Sequence, residues 1–304
     1  MICTCTMNPS LDYFMEYDKP LKAGALNRSQ LEYYEAGGKG INVSIVLNNL
    51  QIPSRATGFL GGFTKDFFIR LLQKYTYVQP NFTYIEGHTR INVKLSDGAS
   101  STDLNAAGPY ITYEDMANLR EKVRRLDEGD YFVLAGNCPQ YLSDEIVAML
   151  KGAINDGVKV CLDTNGDIVE RVLEDHPFLV KTTTGEMQDY YGKPCDPAKD
   201  AKEIHERGAR AVMIMNSDCS SAVLACDDGV YEAQIMHEEK TLTTFGSGDA
   251  LTAGYLMNYL RSRNCVDSFR FASCCSSATA YSKGLATREK IESFYDKAVV
   301  KKLD

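Results

Sequence analysis

Residues 246–249, Gly-Ser-Gly-Asp, stand directly before an apolar segment with helical spacing. Its apolar positions recur at intervals of one, three or four residues, at Ala253, Leu256, Met257 and Leu260, so the turn is expected to open a helix. Glycine lets the backbone approach a ligand closely, and the first N–H groups of a helix attract anions. The stretch therefore predicts an anion site formed by Gly246, Ser247 and Gly248.

Asp249 puts a carboxylate beside this predicted anion site, where it would repel a bound phosphate. A hydroxyl between the two groups removes the conflict, because it can give its proton to Asp249 while its oxygen attacks the phosphorus atom. Asp249 is therefore predicted to be the general base of a phosphoryl transfer. The alternative is a capped helix turn without chemistry, in which Asp249 only meets the helix dipole.

A second glycine-rich stretch, residues 36–42 (Ala-Gly-Gly-Lys-Gly-Ile-Asn), also precedes a helical pattern. Gly37 and Gly38 permit close backbone approach to a ligand. Asn42 can donate and accept hydrogen bonds with ligand hydroxyls, and Lys39 brings a positive charge to a phosphate on the substrate. Taken alone, the stretch fits equally a glycine-rich turn before an ordinary helix.

Strand-like and helix-like segments alternate through much of the chain. The predicted strands are 1–7, 31–34, 55–60, 131–135, 158–163, 178–181 and 211–216, and the predicted helices include 65–75 and 143–154. This order implies a mostly parallel sheet with helices on both faces and a ligand site at the carboxyl ends of the strands. Asp163, Glu186 and the residues after Asn216 are expected along that edge.

Two segments with period-two polarity interrupt the alternation. They are residues 13–34 and the pair 89–95 and 101–105, and they are predicted to form a small antiparallel sheet that covers the site as a lid, with lid segments at about 12–35 and 88–106. The chain contains no internal repeat and no low-complexity linker. A single continuous domain, residues 1–304, is therefore expected.

Composition excludes several classes of partner. The 304 residues are 44% hydrophobic and 24% charged, with a formal charge of -8, so there is no basic surface for nucleic acid. No apolar run reaches membrane-spanning length and no secretory signal is present, which predicts a cytoplasmic protein without membrane contact. The ten cysteines are scattered and are expected to be reduced core residues, and their spacing with the four histidines predicts no zinc site.

The two glycine-rich stretches together resemble the signatures of the ribokinase-like (PfkB) sugar kinase family. Three further segments resemble its subgroup that phosphorylates ketohexose monophosphates: residues 6–12 (Thr-Met-Asn-Pro-Ser-Leu-Asp), 89–94 (Thr-Arg-Ile-Asn-Val-Lys) and 284–289 (Gly-Leu-Ala-Thr-Arg-Glu). The resemblance implies a ribokinase-like α/β fold with a β-sheet lid, and ATP and Mg²⁺ at the site. It also implies a possible homodimer through the lid.

By this resemblance, Asp12 binds sugar hydroxyls and Arg90 holds the phosphate of the substrate, a task that suits its planar fork. Asn105, in the segment 102–105 (Thr-Asp-Leu-Asn), favours fructose 1-phosphate, which would be phosphorylated on its 6-hydroxyl to fructose 1,6-bisphosphate. The alternative is phosphorylation of tagatose 6-phosphate.

The donor side departs from the family pattern. Residues 181–186 read Lys-Thr-Thr-Thr-Gly-Glu where Lys-Pro-Asn-x-x-Glu is usual, so Thr183 replaces an asparagine and Glu186 is kept, with a predicted role in holding the metal through water. Residues 215–220 replace the usual Ser-Leu-Gly-x-x-Gly, and Ser217 and Ser220 are expected to crowd the path of the nucleotide or force another pose.

These departures leave a second hypothesis open: a regulatory protein that binds a sugar phosphate and has weakened kinase activity. Retention of Asp249 argues against it, since a sensor needs no base. An unrelated nucleotide-binding scaffold is a third option, which two distant signatures in the expected order disfavour.

Overall fold

The computed structural model describes residues 1–97, 100–235 and 242–303. Within them the strands are β1 (Ile2–Thr6), β2 (Ser10–Glu16), β3 (Leu31–Gly37), β4 (Ser54–Gly61), β5 (Val78–Pro80), β6 (Thr83–Ile85), β7 (Arg90–Ser96), β8 (Ser101–Leu104), β9 (Tyr131–Ala135), β10 (Lys159–Asp163), β11 (Leu179–Thr183), β12 (Ala211–Met215), β13 (Ser221–Cys226), β14 (Gly229–Ile235) and β15 (Ala298–Lys302).

The α-helices of the same residues are α1 (Lys39–Asn49), α2 (Gly62–Leu72), α3 (Tyr113–Val123), α4 (Ser143–Asn155), α5 (Gly166–Val172), α6 (Thr184–Tyr191), α7 (Pro197–Glu206), α8 (Ser247–Ser262), α9 (Cys265–Ala280) and α10 (Arg288–Glu292). Three short 3-10 turns lie at Gln140–Leu142, Leu173–Asp175 and Tyr295–Lys297. None of these helices is long and apolar enough to cross a membrane.

The large sheet has the order β15-β14-β13-β12-β11-β10-β9-β1-β4-β5, with β6 also paired to β4. All pairs from β12 through β5 are parallel, and the pairs β12–β13, β13–β14 and β14–β15 are antiparallel. The predicted mostly parallel sheet is confirmed. The antiparallel edge was missed, because its strands lie beyond the last predicted strand-and-helix unit.

Alternate residues of the central strands face two different cores, which explains why these strands read as continuous apolar runs. In β9, Phe132 and Leu134 join a core with α3, α4, α5 and α7. Tyr131, Val133 and Ala135 join a core with α1, α8 and α9 on the other face. The helices therefore cover both faces of the sheet, as predicted.

A second sheet of four strands, in the order β3-β2-β7-β8, forms the lid. The hairpins β2–β3 and β7–β8 are antiparallel, but β2 and β7 run parallel, so the prediction of a purely antiparallel lid was wrong. Strands β2 and β7 run in the same direction because each leaves the same region of the large sheet, β2 after β1 and β7 after β6. The chain reverses only within each hairpin. The register pairs Ser10 with Gly37 and with Arg90, which brings two of the predicted site segments together.

Several predicted boundaries shift by a few residues. The helix predicted at 65–75 begins at Gly62 and ends at Leu72, and β2 begins at Ser10, three residues before the predicted lid strand. All ten cysteines are free thiols, and Cys3, Cys5, Cys161 and Cys226 are buried in strands as predicted.

Candidate active site

The first turn of α8 carries the predicted anion site. Gly246 precedes the helix with φ 73°, a left-handed conformation that suits glycine. Ala250 makes the first helical hydrogen bond back to the Gly246 carbonyl at 2.9 Å. The backbone N–H groups of Gly248 and Asp249 find no acceptor among the described residues, as expected at a helix N-terminus. These N–H groups are available to an anion.

The carboxylate of Asp249 is buried beside this turn and accepts a hydrogen bond from a side chain of α1. Asn42, in α1, donates its amide N–H to Asp249 Oδ2 at 2.8 Å. Burial, helped by the nearby carboxylate of Asp163, raises the pKa of Asp249 to about 6, although Lys181 and Lys39 oppose the shift. A carboxylate with this pKa can accept a proton near neutral pH and release it again.

Asp163, at the carboxyl end of β10, bridges two lysines. Its Oδ1 accepts from Lys39 Nζ at 3.0 Å and its Oδ2 accepts from Lys181 Nζ at 3.1 Å. Burial opposes the charged form, but Lys181 and then Lys39 outweigh it and hold the pKa of Asp163 below its usual value. Asp163 is 1% exposed, so it needs both lysines to remain charged.

Lys39 also donates to Glu186 Oε1 at 2.7 Å. Burial alone would lower the pKa of Lys39, but Asp163 and Glu186 reverse this and raise it. The sequence assigned Lys39 to the phosphate of the acceptor sugar. Its contacts instead favour a role in pairing with Asp163 and Glu186. Its ammonium group pairs with Asp163 at the end of β10 and with Glu186 in the first turn of α6.

Lys181 lies against the anion turn itself. A Cβ built on Gly248 would come within 2.5 Å of Lys181 Nζ, so glycine at this position is what lets the ammonium group approach the backbone. Lys181 is 3% exposed and lies in the middle of β11, with its ammonium group near the first turn of α8. The turn therefore has a fixed positive charge beside its unpaired N–H groups.

The acceptor side is built around Asp12 in the lid sheet. Ser10 and Asn92 both donate to Asp12 Oδ1, at 2.7 and 2.9 Å. A Cβ on Gly37 would meet Asp12 Oδ2 at 2.2 Å, so the absence of a side chain at Gly37 makes room for the carboxylate. Burial raises the pKa of Asp12, with the hydrogen bonds opposing it.

Arg90 lies on the neighbouring strand and retains donors for a ligand. Its Nη1 donates to the Ala106 carbonyl at 3.1 Å, while its buried Nε has no hydrogen-bond partner in the described residues. Burial lowers the pKa of Arg90, and the charge of Asp12 opposes that shift. Asn105 is exposed beside Ala106 at the end of β8, and Gly38 precedes α1 with φ 125°.

On the donor side, Thr183 replaces the expected asparagine and caps α6. Its hydroxyl accepts from the Glu186 N–H at 3.2 Å, while Glu186 Oε2 accepts from the Thr183 N–H at 3.0 Å. The threonine therefore orients Glu186, whose other oxygen binds Lys39. Burial and Asp163 raise the pKa of Glu186, but Lys181 and Lys39 outweigh them and lower it.

The prediction that Ser217 crowds the nucleotide path does not fit its contacts. Its hydroxyl accepts from the Gly185 N–H at 2.9 Å and lies 3.1 Å from the Thr184 hydroxyl, so it is turned toward the start of α6. Ser220 lines a cleft between the β12–β13 turn, α8 and α9. The left-handed residue of this turn is Cys219, with φ 61°, rather than either serine.

Sequence reasoning missed the residues that position the predicted ones. Asp163 was expected at the edge of the sheet, but no role was assigned to it. Lys181, Asn92 and Ser10 appeared only as members of sequence motifs, also without a role. The signal for Asp163 was a carboxylate at the last position of a buried strand. Lys181 lies in the middle of the neighbouring strand β11. Their pairing depends on strand order, which the sequence alone does not display.

The donor set fits Mg²⁺ and a nucleoside triphosphate. The unpaired N–H groups of α8 and the ammonium of Lys181 suit an anionic phosphate chain. Both oxygens of Glu186 and of Asp163 are already hydrogen-bonded, so these carboxylates would reach a metal through water.

The large parallel sheet is covered by helices on both faces and carries a small β lid, and a buried carboxylate lies beside a helix N-terminus at its edge. These features are those of a carbohydrate kinase of ribokinase-like fold. The chain belongs to the pfkB family of carbohydrate kinases, whose family model matches residues 6–291. It is 33% identical over 308 residues to the 1-phosphofructokinase of Bacillus subtilis (strain 168), covering 100% of both chains.

Two other relatives are similar over nearly their whole length. The D-tagatose-1-phosphate kinase of Bacillus licheniformis is 29% identical, with 96% of each chain covered. A crystal structure described as a possible 1-phosphofructokinase from Thermotoga maritima has a TM-score of 0.87 and 25% identity, and the match covers 100% of both chains.

Proposed function

We propose that this kinase transfers the γ-phosphoryl group of ATP to the 6-hydroxyl of fructose 1-phosphate and forms fructose 1,6-bisphosphate. The observation that carries the proposal is the hydrogen bond between Asn42 and Asp249, which joins the acceptor signature to the base. The full-length relative named 1-phosphofructokinase supports the choice of acceptor.

The acceptor would lie under the lid, between Arg90 and Asp249. Arg90, whose Nε has no partner among the described residues, would bind the 1-phosphate in its planar fork. Asp12, fixed by Ser10 and Asn92, would accept from sugar hydroxyls. Gly37, Gly38 and Asn105 would complete the sugar site by close backbone approach and an exposed amide.

In the reaction, Asp249 would accept the proton of the 6-hydroxyl as that oxygen attacks phosphorus. Gly246, Ser247 and Gly248 would supply the turn whose N–H groups stabilise the transferring phosphoryl group, with Lys181 adding charge beside them. Mg²⁺ would neutralise the donor phosphates, held through water by Glu186, which Thr183 and Lys39 orient. Closure of the lid would exclude water and limit hydrolysis of ATP.

The nucleotide would occupy the cleft that Cys219 and Ser220 line beside α8 and α9. Ser217 would support this site indirectly, since its hydroxyl binds the start of α6. A change of nucleotide pose is therefore not required by Ser217.

The second candidate acceptor is a tagatose phosphate, favoured by the relative named D-tagatose-1-phosphate kinase. The substrate in that name carries its phosphate on C1. The alternative given in the sequence analysis was tagatose 6-phosphate, with the phosphate on C6. Fructose and tagatose phosphates differ by the orientation of one hydroxyl, so Asp12 and Asn42 are the residues expected to distinguish them.

A coupled assay with ATP and Mg²⁺ tests the proposal by comparing fructose 1-phosphate, tagatose 1-phosphate, tagatose 6-phosphate and fructose 6-phosphate. We expect the highest kcat/KM with fructose 1-phosphate. A higher value with either tagatose phosphate would select the second candidate. Thermal protection by a sugar phosphate without turnover would instead support the regulatory protein considered from the sequence.

We also propose that the chain is one ribokinase-like unit, residues 1–304 with lid segments 12–35 and 88–106, that forms a homodimer through the lid in the cytoplasm. Tyr34, Ile91 and Leu104 expose apolar side chains on one face of the lid sheet, which supports pairing with a second copy. Ten free thiols suit a reducing compartment. Sedimentation of the wild type and of Leu104→Glu tests the dimer, which should dissociate in the variant.

A further inference from the structure

Asn92 lies on β7 close to both of the charged residues of the acceptor side. The register of the lid sheet pairs it with Asp12 on β2, and Arg90 precedes it by two residues on β7. Residues two apart on a strand point to the same face, so Arg90 and Asn92 face the same side of the lid. Asn92 is 4% exposed. A buried amide at this position must find its hydrogen-bond partners within the protein.

Both ends of the Asn92 amide have such partners. Its Nδ2 donates to Asp12 Oδ1 at 2.9 Å, and its Oδ1 accepts from the Ala106 N–H at 3.2 Å. These contacts fix which way the amide is turned, because only the nitrogen can donate and only the oxygen can accept. The amide therefore joins the carboxylate of Asp12 on one side to the loop that follows β8 on the other.

Ala106 carries this connection on to Arg90. Its carbonyl accepts from Arg90 Nη1 at 3.1 Å. The buried Nε of Arg90 has no hydrogen-bond partner among the described residues, so the bond to Ala106 helps to hold the planar fork while Nε stays available to a ligand. A continuous series of hydrogen bonds thus runs from Asp12 through Asn92 and Ala106 to Arg90.

Two nearby side chains share only part of this connection. Ser10 donates to the same Asp12 oxygen at 2.7 Å. Asn8 donates to the Ala107 carbonyl at 2.6 Å and so anchors the loop one residue further along the chain. Among the described residues, Asn92 is the side chain that bonds both to the Asp12 carboxylate and to the loop.

We propose that Asn92 is a positioning residue that couples the two halves of the acceptor site, the Asp12 carboxylate for the sugar hydroxyls and the Arg90 guanidinium for the phosphate. This coupling rests on the proposed function, which assigns those roles to Asp12 and Arg90. Because the amide is bound at both ends, it holds the separation of the two charged groups near one value. An acceptor is then selected by the distance between its phosphate and its hydroxyls, in addition to the orientation of each hydroxyl.

The first test compares Asn92→Ala with Ser10→Ala, because each variant removes one hydrogen bond from the same oxygen of Asp12. The KM for the preferred acceptor should rise by roughly 10-fold or more in both variants, since each lost bond is made to a charged group. The KM for ATP should stay near the wild-type value. Loss of the Asp12 contact alone therefore does not distinguish the two variants.

Inorganic phosphate distinguishes them, since it can bind Arg90 but has no sugar hydroxyl for Asp12. Its Ki is measured in competition with the acceptor at saturating ATP, which keeps phosphate away from the anion turn. We expect the Ki to rise by roughly 3- to 10-fold in Asn92→Ala, as for the loss of one neutral hydrogen bond, and to stay at the wild-type value in Ser10→Ala. An unchanged Ki in Asn92→Ala would overturn the coupling.

The second test breaks the same connection at the loop. Ala106→Pro removes the N–H that Asn92 binds and leaves the bond between Asn92 and Asp12 in place. Ala106 is exposed and lies outside the strands and helices, so this change does not put a buried group at risk. The Ki of phosphate should rise as in Asn92→Ala, and the double variant should show no further rise. A wild-type Ki in Ala106→Pro, or additive effects in the double variant, would contradict the coupling.

The wild-type kinase separates this inference from the proposed function. Its turnover of the fructose and tagatose phosphates tests the function before any variant is made, and the variants are then compared on the acceptor that it prefers. If it turns over none of them, the proposed function fails and the comparison is made from the rise in unfolding temperature that phosphate causes. A smaller rise in Asn92→Ala than in Ser10→Ala would still support the coupling, whereas equal rises would overturn it.

Discussion

Asn42 donates a hydrogen bond of 2.8 Å to Asp249 although the two residues are 207 positions apart in the sequence. Asn42 belongs to the glycine-rich stretch that opens α1, and Asp249 to the turn that opens α8. The contact fixes Oδ2 of the carboxylate and leaves Oδ1 without a hydrogen bond from the described side chains. One carboxylate oxygen is thus held while the other can meet a substrate hydroxyl.

Replacing Asp249 by asparagine should remove the proposed base and keep the size and shape of the side chain. The amide oxygen can still accept from Asn42, so the fold should persist, whereas turnover should fall by roughly 10²- to 10⁴-fold. Steady-state kinetics with the best acceptor measures this loss. A variant that keeps more than a tenth of the wild-type kcat would rule out Asp249 as the base.

The same substitution should stabilise the unliganded fold. The pKa of Asp249 is about 6 in the folded chain against 3.8 for an unperturbed aspartate, so the folded state loses stability as pH rises from about 4 to 6 and bears the full cost above pH 6. Asp249→Asn removes that cost, which we put at roughly 1–3 kcal/mol. Denaturant unfolding at pH 7.5 and at pH 4 should therefore show a gain at the higher pH that shrinks at the lower.

The acid limb of the pH profile reports the ionisation of Asp249. Because the base must be deprotonated, kcat/KM should fall below about pH 6. In Asn42→Ala the limb should move to higher pH, since the lost hydrogen bond favoured the charged carboxylate. The matched control is Asn49→Ala on the same helix, whose amide binds the Ala286 carbonyl and should leave the limb in place.

The lid could be predicted from local residue types, and so could the first turn of α8 and the nearness of Asn42 to Asp249. Gly246, Asp249 and Asn42 lie in short segments whose spacing sets their geometry. Asp163 and Lys181 could not be paired in this way, because their contact depends on β10 and β11 being neighbours in the sheet. Asp163 nevertheless ends its strand, and this position indicated that it reaches the ligand edge of the sheet.

In the turn at residues 215–220, residue types alone did not identify the position with the unusual backbone. Comparing residue types made Ser217 and Ser220 the positions of interest, but backbone conformation singles out Cys219. A serine hydroxyl can bind the protein backbone instead of a ligand, and that of Ser217 accepts from the Gly185 N–H. Which residue of a turn is left-handed depends on how β12 and β13 are joined, and no local pattern specified it.

Gly248→Ala should impair use of the nucleotide. The new Cβ would lie within 2.5 Å of Lys181 Nζ, so the ammonium must move away from the anion turn and strain its contact with Asp163. We expect kcat/KM for ATP to fall by roughly 10- to 100-fold, less than for complete loss of a charge-stabilising donor.

The matched control is Gly152→Ala in α4, where a Cβ would meet nothing within 4 Å. This change should raise stability by about 0.5–1 kcal/mol through helix propensity and leave the kinetics unchanged. Equal kinetics in both alanine variants would show that Lys181 need not stay against Gly248.

Gly37→Ala should impair use of the sugar instead. The new Cβ would lie within 2.2 Å of Asp12 Oδ2, and the carboxylate would have to leave the position set by Ser10 and Asn92. Loss of a hydrogen bond to a charged group predicts a rise of roughly 10-fold or more in the KM for the sugar phosphate. The KM for ATP should stay near the wild-type value, and a comparable rise in both constants would contradict the assignment of Asp12 to the sugar.

Cys219→Gly should relieve backbone strain beside the nucleotide cleft. Cys219 has φ 61°, where a side chain costs about 1 kcal/mol relative to glycine, so the variant should unfold at higher denaturant concentration despite the greater freedom of its unfolded chain. Cys219→Ala keeps the strain and is the matched control, expected to be no more stable than the wild type. Because Cys219 lines the cleft, ATP should also slow its alkylation in the wild type, and an unchanged rate at saturating ATP would move the nucleotide to another surface.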